Sequence, residues 1–209
     1  MILIIYIITL SEVKRYITDF NGKKATGCNG IGPRILKASI VDIVIPITAI
    51  TNKCIDQCIF PDKLKKAHVL PLYNKGSQHD CNNYRPISIL PTISKLFENY
   101  FSNQLQTFLK KNNILHPRQS RFKANHSCQT ALLNLVNSWV HDIHEGKTIG
   151  AVFLDFQRAF DLVDHEIFLY KLMYTLYHFS NNALQWFKAY LTNRMQFVKL
   201  GSTTSAFEQ

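Results

Sequence analysis

Phosphoryl and nucleotidyl transfer run on divalent ions held by carboxylates, because such ions activate the attacking hydroxyl and steady the leaving pyrophosphate. One stretch of this sequence is rich in candidates: Asp155, Asp161, Asp164 and Glu166. Asp155 follows Ile149-Gly150-Ala151-Val152-Phe153-Leu154, a continuously apolar run of the kind that forms a strand covered on both faces. A carboxylate where such a strand emerges is placed to chelate Mg²⁺, whereas Asp161, past a turn, reads as structural or as support for a ligand. Asp164 and Glu166 open an amphipathic helix, where carboxylates usually answer the helix dipole. His165 between them reads as a surface residue.

The balance of charge points the same way. Twenty-four Lys and Arg against fourteen Asp and Glu give a formal net charge of +10 over 209 residues, which favours a polyanionic partner, nucleic acid first. Hydrophobic residues make up 46% of the chain and aromatics 12%, enough to fill a core and to exclude a disordered tail. The cysteines Cys28, Cys54, Cys58, Cys81 and Cys128 are odd in number and lack a CxxC pair, which argues against a disulfide framework and for a reducing intracellular compartment. Cys54 and Cys58 with His79 and Cys81 are a conceivable zinc set, against which buried thiols are the plainer reading. The apolar start, Met1 to Leu10, is half of the roughly 20 residues needed to span a bilayer and lacks the flanks of a signal peptide. It reads as a buried strand or as the ragged edge of a truncated reading frame.

The elements around Asp155 alternate helix and short strand. Ser11 is expected to cap a helix through Phe20; Asn21 to Gly32 is a basic, glycine-rich loop without the GxxxxGK[ST] phosphate pattern. Pro33 should open a helix to about Val44, with Pro46 ending or kinking it before a second helix to Ile59. His68 to Tyr73 and Tyr84 to Leu90 read as extended pieces joined by a turn at Lys75-Gly76-Ser77, and their internal prolines predict edge or irregular strands. Ile93 to Leu109 and Ala131 to Ile143 carry apolar stripes at helical spacing. After Asp155 come helices at 166–177 and 183–191 and a strand at Phe197 to Leu200.

Val152-Phe153-Leu154-Asp155-Phe156-Gln157-Arg158-Ala159-Phe160-Asp161, continuing Leu162-Val163-Asp164-His165, resembles motif A of non-long-terminal-repeat (LINE-like) retrotransposon reverse transcriptases, whose pattern is close to FLDxxxAFDxVDH. Phe60-Pro61-Asp62 with Lys65-Lys66-Ala67, Pro71-Leu72-Tyr73, Lys75-Gly76 and Asn83-Tyr84-Arg85-Pro86-Ile87-Ser88 resemble the fingers block of that family in the same order. Lys24-Ala25-Thr26-Gly27, Gln119 to Leu132, and Trp186-Phe187 with Tyr190-Leu191, Asn193-Arg194 and Gln196 extend the likeness to roughly residues 11 to 205.

The resemblance implies an α+β, helix-rich right-hand polymerase fold. It places an N-terminal segment and short helix at 1–20, a fingers-like region at 21–145 and a partial palm at 146–209, truncated before the paired-aspartate motif. Asp155 would be the first metal-binding aspartate, with the Phe156 carbonyl on the nucleotide-bound Mg²⁺. Phe160 would lie under the incoming sugar. Arg85 and Lys75 would clamp the triphosphate, a rigid guanidinium fork and a mobile ammonium respectively; a salt bridge and a solvated turn are the alternatives. Arg118, Arg121 and Lys123 would face template, or simply water. Partners would be an RNA template, a DNA primer and deoxynucleoside triphosphates, in cytoplasm or nucleus, with no membrane and no disulfide-linked partner.

Departures from the family pattern stand at Asn29, Asn74, Arg121, Lys123 and Asn125, and Arg121 and Asn125 replace glycines of a loop that uses positive φ. No YxDD or FADD occurs in the sequence. The expected function is therefore a fragment of an RNA-directed DNA polymerase that is inactive as an isolated chain. The alternatives are a non-catalytic, basic nucleic-acid-binding module and a carboxylate-metal nuclease built on Asp155, Asp161 and Glu166. An incomplete palm would also leave Ala151 to Leu154 with unpaired edges and an uncovered apolar face.

Overall fold

In the computed structural model, residues 2–123, 125–156, 159–160, 162–174 and 178–208 are described, with the backbone alone at Tyr174 and His178. Along the chain run β1 (Ile2–Leu3), α1 (Leu10–Asp19), α2 (Pro33–Ala38), α3 (Ile40–Asp56), β2 (Lys66–Tyr73), β3 (Tyr84–Ile89), α4 (Thr92–Lys111) and α5 (Cys128–His144). They are followed by α6 (His165–Tyr174), β4 (His178–Phe179), α7 (Asn181–Leu191), β5 (Met195–Leu200) and β6 (Thr203–Thr204). Two compact units result, one of residues 1–106 with 165–209 and one of residues 107–164.

In the first unit the apolar start is an extended strap more than a strand. Only β1 forms a ladder, parallel to β4. Beyond it, side-chain amides hold the main chain: Asn52 accepts from the Ile8 N–H at 2.8 Å and donates to the Ile8 carbonyl at 3.0 Å. Gln104 accepts from the Tyr6 N–H at 2.9 Å, while the Tyr100 hydroxyl donates to the Tyr6 carbonyl at 2.8 Å. Helix α1 is capped by Thr9, not Ser11: Thr9 and Glu12 form a reciprocal capping box, the Thr-x-x-Glu spacing that Ser11 with Lys14 cannot supply.

Helix breaks follow packing more than proline. The chain turns at Ser39, which closes α2 and opens α3, and Pro46 lies inside α3. Proline's fixed φ suits a helix, and the loss is one hydrogen bond and some crowding. Ile47, Thr48, Thr51, Cys54 and Ile55, all buried on α3, carry it through. The core beneath is aromatic. Phe60 meets Phe97, Trp186 and Tyr190 edge-to-face at ring distances of 5.6, 5.8 and 5.1 Å, an arrangement that the ring quadrupoles favour. Val13 and Ile17 of α1, Leu36 of α2 and Leu96 and Phe101 of α4 complete it.

The main sheet has the order β3-β2-β5-β6, with β3 antiparallel and β5 parallel to β2. Contrary to the edge-strand expectation, β2 is central although it holds Pro71. Two facts of register permit this. Strand β5 pairs only with Lys66 to Val69, so Pro71 lies past the last parallel pair. On the other side Pro71 faces Pro86. Asn74 and Asn83 form a hydrogen-bonded pair, and bonded pairs alternate in an antiparallel ladder, so the two prolines meet where no N–H is needed.

The second unit departs most from expectation. Residues 149–156 form no strand; Val152, Phe153 and Leu154 are 85, 79 and 83% exposed. An apolar run becomes a strand only when neighbours take its N–H and C=O groups, and no described strand pairs with it. The apolar stripe of α5 is likewise uncovered: none of its residues is buried, and Leu132, Leu135, Val136, Val140 and Ile143 are all exposed. Its N-terminus is well made, with Ser127 and Thr130 in a capping box.

Candidate nucleotide site and nucleic-acid interface

The first unit supplies the hairpin of β2 and β3, which places Arg85 opposite Leu72. The Arg85 side chain is exposed, and no ion pair holds it among the described residues. Lys75 lies in the connecting tip, also exposed. That tip is ordered by the stem: Tyr73 and Asn83 donate to the carbonyls of Gly76 and Ser77, and Tyr84 donates to that of Gln78. Gly76 is required twice over, by its φ of 95° and because a Cβ there would sit 2.6 Å from the Asn83 side chain.

The glycine-rich loop at 21–32 packs against the base of the same hairpin. Thr92 donates to the Ile31 carbonyl at 2.8 Å, and a Cβ at Gly27 would meet the Pro91 nitrogen at 2.5 Å. Glycine serves here for close backbone approach. At the start of β2, Lys65 is buried and its ammonium reaches the Asp62 carboxylate at 2.9 Å. A triad joins α4 to the end of α7. Tyr190 donates to Glu98 at 3.0 Å, and Arg194 donates to the Tyr190 carbonyl at 3.0 Å while its guanidinium lies over the Tyr190 ring. Burial pushes the Glu98 carboxyl up, partly offset by the Tyr190 hydrogen bond and by Arg194 and Lys95. Burial and the Glu98 charge push the Tyr190 hydroxyl up to about 12. Tyr190 and Arg194 stand in the segment that carries the family likeness, but their link to Glu98 is a long-range contact.

The second unit holds the other expected residues. Asp155 and Phe156 are exposed on the segment 149–156, which forms no strand. Phe160 meets Phe122 edge-to-face at 6.2 Å, and the Arg121 guanidinium lies 5.4 Å over the Phe122 ring. A member of the expected template loop and the aromatic of motif A are thus brought together. Lys123 folds back, donating to the carbonyls of His116 at 2.7 Å and Pro117 at 3.4 Å, while Arg118 stays exposed. The strain expected of this loop falls partly elsewhere: positive φ is found at Phe122 and Asn125, and not at Arg121. Asn125, in a position expected to hold glycine, is a residue type that tolerates that conformation. Asp161 lies outside the described residues.

Among the described residues no three His, Cys, Asp or Glu side chains converge on a point that could hold a metal ion. Asp155 alone does not fit Mg²⁺, which demands octahedral oxygen coordination. The five cysteines are free thiols, and burial raises those of Cys54 and Cys58. No described helix is long and apolar enough to cross a membrane.

Comparison with known proteins bears directly on these residues. The family profile described as reverse transcriptase (RNA-dependent DNA polymerase) matches residues 65–208, spanning both Arg85 and Asp155. A probable RNA-directed DNA polymerase from transposon BS of Drosophila melanogaster is 29% identical over 160 residues, covering 76% of this chain and 18% of the relative. RNA-directed DNA polymerases from the mobile element jockey are 30% identical in Drosophila melanogaster and 28% in Drosophila funebris, each over 165 residues, 78% of this chain and 18% of the relative. The chain therefore spans about a fifth of the length of these relatives. The matches favour a polymerase domain over an independent nucleic-acid-binding module. With motif A, the Arg85 hairpin and the family profile coinciding on one stretch, the chain belongs to the reverse transcriptase (RNA-dependent DNA polymerase) family.

Proposed function

We propose that this chain is the nucleotide- and template-handling part of a retrotransposon RNA-directed DNA polymerase, with residues 21–145 serving as fingers and 146–209 as the start of the palm. The observation that carries this reading is the Arg85 guanidinium, exposed and without a carboxylate partner among the described residues, on a stem whose ordered tip bears Lys75. A guanidinium fork with a nearby ammonium matches the oxygens of a deoxynucleoside triphosphate. Phe160 supplies an aromatic face for the incoming sugar, and Arg118 and Arg121 supply positive charge for an RNA template and DNA primer.

Asp155 is proposed as a metal-binding carboxylate of the family type, although alone it does not hold Mg²⁺. Electrostatic stabilisation by such ions is the main part of this chemistry, so one carboxylate leaves it undone. Primer extension by the isolated chain on an RNA template with Mg²⁺ is expected to give no product above background. The binding half of the reading is tested by titrating the chain with deoxyadenosine triphosphate and repeating it with Arg85→Ala. Loss of a charge-assisted hydrogen-bond pair should weaken affinity by about ten- to a hundredfold. An unchanged affinity would remove Arg85 from the site and the proposal with it.

A further inference from the structure

The tip of the β2–β3 hairpin makes an arrangement that the proposed function does not by itself require. Three successive carbonyl oxygens, those of Gly76, Ser77 and Gln78, each accept a hydrogen bond from a different side chain of the stem: the Tyr73 hydroxyl, the Asn83 amide at 2.9 Å and the Tyr84 hydroxyl at 2.9 Å. Tyr73 and Tyr84 are direct cross-strand partners, and their rings meet edge-to-face at 5.6 Å. Each ring therefore steadies the other while its hydroxyl reaches up to the tip. At the far side of the tip Asp80 accepts from the Asn82 N–H at 2.9 Å, and Asn74 donates to the Asn83 carbonyl at 2.9 Å.

The side from which this brace acts matters. Side chains alternate across a strand, so Tyr73 and Tyr84 stand on one face of the hairpin while Leu72 and Arg85 stand on the other. The two tyrosines hold the tip from the face opposite Arg85, while Asn83, two residues before Arg85, reaches Ser77 from the Arg85 side; Leu72 and Arg85 remain exposed. A tip of exposed polar residues would otherwise have to be ordered when a ligand arrives, and that loss of freedom would subtract from affinity. Here the ordering is done by folding.

We propose that Tyr73, Tyr84 and Asn83 are positioning residues that fix the Lys75-bearing tip on the Arg85-bearing stem, so that the outer phosphates of a nucleoside triphosphate meet a preformed pair of cations. This rests on the triphosphate reading of Arg85. It adds that discrimination between triphosphate and monophosphate is built into a tyrosine brace that touches neither.

The test is the Tyr73→Phe/Tyr84→Phe double variant of the 209-residue chain. It keeps both rings and removes only the two hydroxyls. Affinities for deoxyadenosine triphosphate and deoxyadenosine monophosphate are measured by calorimetric titration, with thermal melting and amide hydrogen exchange of residues 76–80 alongside. Triphosphate affinity is expected to fall by about three- to tenfold, the size of a lost neutral hydrogen bond or two. Monophosphate affinity and melting temperature should hold, and exchange at the tip should quicken. Equal weakening of both nucleotides, or a lowered melting temperature, would mean that the tyrosines serve the fold generally, and would overturn the inference. If the double variant binds triphosphate like the parent while Arg85→Ala does not, the brace is refuted and the triphosphate site stands. If Arg85→Ala also binds like the parent, the triphosphate reading falls and takes the brace with it.

Discussion

Helices α4 and α5 have apolar stripes of the same kind, yet one is core and the other is surface. In α4, Leu96, Phe97, Tyr100 and Phe101 are buried against Phe60, Trp186 and α1. In α5, Leu132, Leu135, Val136, Val140 and Ile143 all remain exposed. Periodicity is a property of the helix, whereas burial is a property of its surroundings, and only the first is written in the local sequence. The unit of residues 1–106 with 165–209 brings its own cover; the described residues of 107–164 do not provide one for their stripe. The same contrast separates β2, which finds two neighbours, from the more continuously apolar run 149–154, which no described strand joins.

The sharpest way to break this comparison is to truncate a side chain in each helix. Phe97→Ala should cost about 3–5 kcal/mol of unfolding free energy in a denaturant titration, through lost burial and an unfilled cavity. Leu135→Ala should cost under about 1 kcal/mol, because an exposed leucine has little burial to lose. Equal costs would mean that α5 is covered in solution.

Glycines offer a smaller contrast. Gly27→Ala drives a methyl into the Leu90–Pro91 backbone and should cost about 1–3 kcal/mol. Gly146→Ala, at φ 76° with open space around it, should cost only the conformational penalty of about 1 kcal/mol.

A pH series probes the covered unit alone. The Glu98 carboxyl is raised by burial, so its contribution to stability is fully present below the unfolded carboxylate value of about 4.3 and is lost as pH rises through the higher folded value. Arg194, Lys95 and the Tyr190 hydroxyl face this group and limit the effect. Melting temperature of the parent should therefore fall relative to Glu98→Gln as pH is raised from 4 toward 7, and parallel curves would show that the carboxyl is not desolvated. The smallest effect is kinetic: amides of residues 149–156 should exchange at near-unprotected rates while those of Val69 and Leu70 are protected, and protection of both would restore the strand expected from sequence.

What could be read in advance divides along the same line. The family likeness, the β2–β3 hairpin and most helices were legible because they depend on residue types at fixed short spacings. The exchange of Ser11 for Thr9 as cap was legible too, once the Glu12 partner is counted. The central position of β2 was not, because the harmlessness of Pro71 depends on where β5 stops and on Pro86 opposite, and both are long-range facts of register. Strand formation at 149–154 failed as an expectation for the converse reason, since hydrophobicity states a need for neighbours and cannot supply them. The Glu98–Tyr190–Arg194 group was hidden because Glu98 lies 92 residues before Tyr190, so that the likeness at Tyr190 and Arg194 carried no sign of their buried carboxyl partner.

The strap at the beginning of the chain is gripped through peptide groups, with Asn52, Gln104 and Tyr100 reading the main chain at Ile8 and Tyr6. Peptide groups are the same whatever residue bears them. Leu3 and Ile8, whose side chains are buried, and Ile5, which packs against the core, are constrained in kind, whereas the exposed Ile4, Tyr6 and Ile7 are free to drift toward polar types while the seam keeps its register. A junction of this sort can be joined to varied upstream sequence without redesign of the helices beneath it.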